Sequence, residues 1–345
     1  MINLFTLGKK SPGTVLILTL WALGLLAIFA INIGIGIRQK IVILSRLEQR
    51  SQLKLIADAG IKKAITILNA DSKSNQGHNS TLVKMWKYNN PAHFHNIKVG
   101  NGQFDVSYTF VGQNVSQLMK RYGIVDEESK VNINTADADT LKRLIVYATG
   151  LDPIEADKLA KAIIDWREYG ESEIVGFFSD EYYENLVYPY PPKKSKYEVM
   201  EELLLVKGMD PKLFELLRHY LTVYGDGKVN INTASGYVLL SLGLNEELVN
   251  KILVTRRGRD GIEATEDDYI FQDPYNIAGE LAAFDEVQPN ETSMLDELSI
   301  NEKLNTNSYY YRIESKGQSL NKEISQYIRC VYNLRNNKIV YWQEK

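Results

Sequence analysis

The sequence predicts an α+β protein: a long N-terminal helix, then strands on both sides of a long, mostly helical middle section. Three observations predict it. An uncharged apolar run opens the chain, period-two alternation occurs before residue 114 and again after residue 307, and the section between carries repeated helix-start signals.

The apolar run TVLILTLWALGLLAIFAINIGIGI, residues 14–37, holds 24 residues without a charge. As a helix it extends roughly 36 Å, enough to cross a hydrocarbon core of ~30 Å. A secretory signal peptide has a shorter apolar core that ends at a small-residue cleavage site. Here the run passes directly into residues 38–68, where Ile41, Leu44, Leu47, Ile56, Ile61, Ala64, Ile65 and Leu68 recur at spacings near three and four with charges between them. No proline or turn cluster interrupts that stretch, so one helix of roughly 50 residues is expected.

A polar loop, 71–80, follows. In residues 98–113, Phe104, Val106, Tyr108 and Phe110 alternate with Asp105, Ser107 and Thr109 behind an Asn101-Gly102 turn, the pattern of a half-buried strand. Near the C-terminus, 308–317, 323–334 and 338–344 read as three more strands, with Arg335-Asn336-Asn337 as the last hairpin turn. The one cysteine, Cys330, lies in the second of these. It excludes an internal disulfide and CxxC chemistry, and a small buried strand residue is expected.

The middle section contains KVNINTA twice, at 130–136 and 228–234. Valine and isoleucine alternate with asparagine, which suits a short extended segment. A helix follows each copy, and the amide or hydroxyl at the end of the string is expected to cap it. Gly150-Leu151-Asp152-Pro153 then starts a helix over 153–169, with Asp152 as N-cap and Glu155 as its capping-box partner, and Gly208-Met209-Asp210-Pro211 repeats the device. These are helix-hairpin-helix-like units. A hairpin that binds duplex DNA presents Gly-x-Gly so that bare backbone N–H groups meet a phosphate. Here an aspartate replaces the second glycine, and 40 basic against 43 acidic residues leave a net charge of −3. No basic field or cluster draws the chain to nucleic acid.

The N-terminus resembles that of type IV pilins and pseudopilins: Lys9, Lys10 and Ser11 precede Pro12 and Gly13, and the apolar helix follows directly. The resemblance implies that a prepilin peptidase cuts between Gly13 and Thr14. Such proteins usually carry glutamate at the fifth mature position, where this chain has Leu18. A lone carboxylate inside a membrane costs several kcal/mol unless it is paired, and in the family it is thought to pair with a neighbour's free amine. Its absence is characteristic of the type II secretion system protein K family, the minor pseudopilin of the general secretion pathway. The likeness extends over nearly the whole chain, through both KVNINTA strings, IIDWRE (163–168), DEYY (180–183), YPPKK (190–194) and EELLLVKGM (201–209).

That resemblance implies a pseudopilin fold with these parts: leader 1–13, transmembrane and extended helix 14–70, first sheet part 71–114, helical (helix-hairpin-helix or SAM-like) insert 115–302 in two subdomains, and second sheet part 303–345. It implies a single-pass inner-membrane protein with a periplasmic head, forming the tip of the pseudopilus that exports folded proteins. The implied partners are minor pseudopilins I and J, the prepilin peptidase and the inner-membrane assembly platform. The rival is a membrane-tethered nucleic-acid binder like the competence protein ComEA, which has a comparable VNINTA lead-in.

One stretch carries site chemistry. Residues 258–271 pack Asp260, Glu263, Glu266, Asp267 and Asp268 around Gly261 and Thr265. Hard oxygen donors on a glycine-bent loop suit Ca²⁺, although the spacing is not that of an EF-hand; acidic runs of this kind are usually solvated. The stretch is similar to the Asp-Gly…Thr-x-Asp-Asp calcium loops of secretion pseudopilins, which implies Asp260, Glu263, Thr265, Asp267 and Asp268 as ligands. A second acidic stretch, with Asp165, Glu168, Glu171, Glu173 and Asp180, is diluted by other residues and suits a metal less well. No GxSxG, P-loop or HExxH is present, so no enzyme is expected. His93 and His95 read as exposed loop residues, and Trp166, Tyr182 and Tyr183 as packing within the helical domain.

Overall fold

The computed structural model describes residues 12–74, 85–111, 118–167, 180–320 and 324–345. The expected leader therefore lies almost wholly outside the described residues, as do Glu168, Glu171 and Glu173. The chain divides into two units, Met1–Leu53 and Lys54–Lys345.

In the first unit the helix Pro12–Ser74 begins. It is the one helix among the described residues that is long and apolar enough to cross a membrane. Leu18, Trp21 and Phe29 of its apolar run are 59–72% exposed. A stretch of helix apolar all round suits an apolar solvent.

In the second unit the helix changes character. Ala57, Ile61, Ala64 and Leu68 are buried at spacings of four, three and four, one stripe of a helix laid on a sheet. Gly60 lies in that stripe because a Cβ there would come 2.2 Å from Ser315 Oγ and 3.0 Å from Phe104. The helix can approach the strands that closely only without a side chain.

Among the described residues the sheet has seven strands. Its main order is β1-β2-β9-β10-β11, with β3 beside β2 and β4 beside β9, all antiparallel. β1 (Ile97–Val99) and β2 (Gly102–Val111) fill the first predicted strand, split by its turn. β9 (Tyr310–Ser319), β10 (Ser325–Asn333) and β11 (Lys338–Glu344) are the three C-terminal strands. Cys330 is buried on β10, as expected. The sheet also reaches further than alternation suggests: β3 (Leu118–Tyr122) and β4 (Val125–Asp126) join it. The helical section thus leaves the sheet at Asp126, and it returns at Tyr310.

Between those points the two strings do the same thing twice. β5 (Val131–Asn132) pairs in parallel with β6 (Leu221–Thr222), and β7 (Val229–Asn230) with β8 (Leu304–Asn305). Each pair closes a helical subdomain by joining its first extended residues to its last. The string's Val131, Ile133, Val229 and Ile231 are at most 2% exposed and belong to one continuous core with Leu141, Leu144, Ile163, Leu248 and Ile252. Trp166 stands 5.6 Å from the Tyr183 ring in that core, the packing role the sequence suggests; Tyr182 is 39% exposed.

The helix caps differ from expectation. The capping side chain is the residue after each string, Asp137 accepting from Thr140 N and Ser235 from Val238 N. The string's own asparagines are committed elsewhere, so the cap falls one step later.

Candidate functional site

The asparagines of the repeat bind backbone. Asn134 accepts from Tyr197 N at 2.8 Å and donates to Tyr197 O at 3.0 Å. Asn232 makes the same two bonds with Phe271, at 2.8 and 2.9 Å. Each amide thus bonds both the N–H and the C=O of one residue, as a strand partner would. A second feature recurs: the arginine closing the subdomain's second helix donates back to the string's carbonyls. Arg167 donates to Ile133 O and Ala136 O, and Arg256 to Ala234 O. The repeated heptad is therefore an internal fastening that uses its polar groups within the fold.

Arg256 also leads to the acidic loop. It is 3% exposed, and its second terminal nitrogen lies 2.9 Å from Glu263 Oε1. Arg121 of β3 reaches Glu263 Oε2 at 3.3 Å. Burial disfavours the Glu263 carboxylate, but the two guanidiniums override it and hold the carboxyl below its usual range. Glu263 thus faces arginines and bridges the helical insert to the sheet; it stands apart from the other four candidate ligands.

Those four share one turn. Asp260 Oδ1 accepts from Ile262 N. Asp267 Oδ2 accepts from Arg259 N and Asp260 N at 2.7 and 3.1 Å. Its carboxyl is pulled down to about 2 by the Thr265 hydroxyl and these two backbone donors. Asp268 Oδ2 accepts from Ala264 N, and burial pushes its carboxyl up. The Thr265 hydroxyl lies 2.7 Å from Asp267 Oδ1, 3.3 Å from Asp268 Oδ1 and 3.1 Å from Ile262 O. One hydroxyl hydrogen can serve only one of those three acceptors well, so the spot is rich in oxygen and short of positive charge. Among the described residues no three His, Cys, Asp or Glu side chains are grouped to hold a metal ion.

Two further places bear on function. In the hairpins, Asp152 Oδ1 accepts from Ile154 N and Asp210 Oδ1 from Leu213 N. Each aspartate caps the start of its own helix, takes one first-turn N–H group and puts a negative charge where a phosphate would sit. His95 departs from the exposed-loop reading: its Nδ1 lies 3.1 Å from the buried Asp105 carboxylate and its ring 3.9 Å from that of Tyr122. Asp105 is ten positions away on β2, and only the hairpin brings it near. On the apolar helix, Leu18 is 69% exposed.

A candidate membrane-spanning helix, an antiparallel sheet packed on the later part of that helix, and a helical insert between two sheet strands form the architecture that the pseudopilin resemblance implies. Residues 113–226 match the family model described as Type II secretion system (T2SS), protein K. The matched stretch contains the first string, both helices after it and the fastening through Tyr197. That match covers 114 of the 345 residues, and together with the fold likeness below it supports the reading as a type II secretion system protein K, a minor pseudopilin. Among solved structures it is similar to a chain in the crystal structure of the GspK-GspI-GspJ complex from the enterotoxigenic Escherichia coli Type 2 Secretion System. The likeness has a TM-score of 0.61 at 15% identity, and covers 87% of this chain and 98% of that one. At that identity the likeness concerns the fold. A search of the curated proteins gives no match.

Proposed function

We propose that this minor pseudopilin forms the tip of a periplasmic pseudopilus, with minor pseudopilins I and J as its neighbours. It is a structural subunit that helps start assembly on the inner-membrane platform. Its helix lies in the inner membrane, and its head, with the helical section inserted into the sheet between Asp126 and Tyr310, lies in the periplasm. The observation that carries this reading is Leu18, an apolar residue where the pilin class places a glutamate to meet a neighbour's amine. A subunit with no neighbour above it has no amine to meet. Complexes of the solved GspK chain with GspI and GspJ suggest the same partners here.

Leu18→Glu tests the placement. At the tip the new carboxylate stays unpaired, at a cost of a few kcal/mol. The variant is expected to assemble and support secretion no better than the parent. Improved pseudopilus assembly in secretion assays would mean that an amine lies within reach, and the tip placement would have to be abandoned.

A second reading concerns the acidic turn. We propose that it holds Ca²⁺ through Asp267 Oδ1, Asp268 Oδ1, the Thr265 hydroxyl and the Ile262 carbonyl, with Asp260 at its rim. The convergence of these oxygens on one hydroxyl hydrogen supports this. Glu263, neutralised by two arginines, is left out. Such sites outside the cytosol bind with Kd of ~0.1–1 mM. A ~100-fold excess of ligand over Kd is worth ~2.7 kcal/mol. The melting temperature of the full chain in detergent is expected to rise with millimolar CaCl₂ and not with matched MgCl₂, which demands a tighter octahedron. Asp267→Ala with Asp268→Ala should remove the response. No calcium-specific shift in the parent protein would leave the turn as a solvated acidic loop.

A further inference from the structure

The junction between sheet and insert contains three consecutive buried acids, Asp126, Glu127 and Glu128, each 3–6% exposed. Glu127 has conventional partners: Lys130 at 2.7 Å and Arg312 of β9 at 3.1 Å. Asp126 and Glu128 make no ion pair among the described residues, and each is held by neutral donors. Asp126 accepts from Thr233 Oγ1 at 2.6 Å, Ser308 Oγ at 2.7 Å, Asn230 Nδ2 at 3.1 Å and Glu128 N at 2.9 Å. Through those bonds it ties β4 of the sheet to the second string and to the segment that returns to β9. Glu128 accepts from the backbone N–H of Tyr309 in that same returning segment. On its other side it packs against Gly225, where a Cβ would sit 3.0 Å from its Cγ. Gly225 has φ +89° and follows β6, the strand that closes the first subdomain. Two acids therefore join the sheet to both subdomains.

We propose that Asp126 and Glu128 form a proton-operated latch: while at least one of the two acids is protonated they hold the two subdomains to the sheet, and when both ionise the junction loosens. Two buried carboxylates joined through one backbone and lacking a cation repel each other strongly when both are charged. The charged groups around the pair do not cancel that repulsion. Asp226, beside Gly225, adds a third negative charge to the field on Glu128. Lys130 and Arg312 are engaged by Glu127. Arg335, in the β10–β11 turn, lies over the Tyr309 ring at 4.1 Å and acts on Glu128 only through space. The titration agrees with the geometry. Burial, then the neighbouring Asp126 charge, pushes Glu128 up to about 8. Burial pushes Asp126 up to about 6, held there by its hydroxyl and amide donors. Both acids sit above their unfolded values, so their contribution is complete at low pH and is lost as pH rises through those values. Burial lowers Lys130 to about 8, so it stays charged below that pH and does not oppose the effect there.

Hydrogen exchange on the full chain in detergent, corrected for the intrinsic pH dependence of exchange, tests the latch. Between about pH 5 and pH 8, residues 126–133, 229–233 and 306–311 are expected to exchange about tenfold faster at the higher pH, while the core of β10 does not change. Glu128→Gln keeps the shape without the charge, and should keep the slow rate at both pH values. Should that variant fold poorly, Asp226→Asn decides the matter: Asp226 is exposed, and removing its charge should move the step to lower pH. Equal protection of the junction across this range in the parent protein, or a step that neither variant moves, would overturn the latch.

Discussion

Arg256→Met is expected to destabilise the head more than any other single substitution considered for this chain. The guanidinium is 3% exposed and donates at 2.6 Å to Ala234 O and at 2.9 Å to Glu263. Methionine fills much of the same volume, so the loss is electrostatic. It strands a buried carbonyl at the end of the second string and leaves Glu263 with Arg121 alone, at 3.3 Å. Breaking one side of a buried pair typically costs 3–5 kcal/mol. Urea unfolding should show the midpoint lowered with little change in slope. Glu263→Gln with Arg256→Met should be less destabilising than the sum of the two single changes, since each single change isolates a charge that the double change removes. Additive effects would mean that the bridge is not a coupled unit. A wild-type midpoint in Arg256→Met would mean that the arginine is not the fastening described.

The second large effect concerns processing and is all or none. The Gly13–Thr14 bond is expected to be cut in cells with an active prepilin peptidase, because a basic segment ending in glycine abuts the apolar helix. Mass spectrometry of membrane-purified protein should find an N-terminus at Thr14 bearing a methyl group. A bulky residue at Gly13 should leave the chain uncut and unable to assemble. Recovery of the intact Met1 terminus from such cells would contradict the pseudopilin reading.

What was legible in the sequence follows the range of the interactions. The membrane helix is a property of one uncharged run, and β2, β9, β10 and β11 are properties of local alternation, so both could be read directly. β3 was hidden because Leu118–Tyr122 places Met, Lys and Arg in succession, with no period of two. β4 has two residues, too few for any pattern. The repeat announced a recurring event, and the capped helices after it were visible. What its asparagines bind was not, because Tyr197 lies 63 positions from Asn134 and Phe271 lies 39 from Asn232.

The acidic loop shows the same limit. Five acids within nine residues mark a place of concentrated charge. Nothing local says that Glu263 faces Arg121 from 142 positions away. The junction acids were passed over for a similar reason. Asp126, Glu127 and Glu128 look like an ordinary solvated run, and only the return of the chain through Ser308 and Tyr309 buries them.

The central claim is that this chain works as the tip subunit beside two other minor pseudopilins. Its most direct test is co-expression of the chain with minor pseudopilins I and J of the same secretion system, followed by affinity purification through this chain and mass measurement of the intact complex. The account predicts one equimolar ternary complex that survives size exclusion and forms equally well without nucleic acid. Recovery of the chain alone, or bound to DNA in place of those partners, would contradict it.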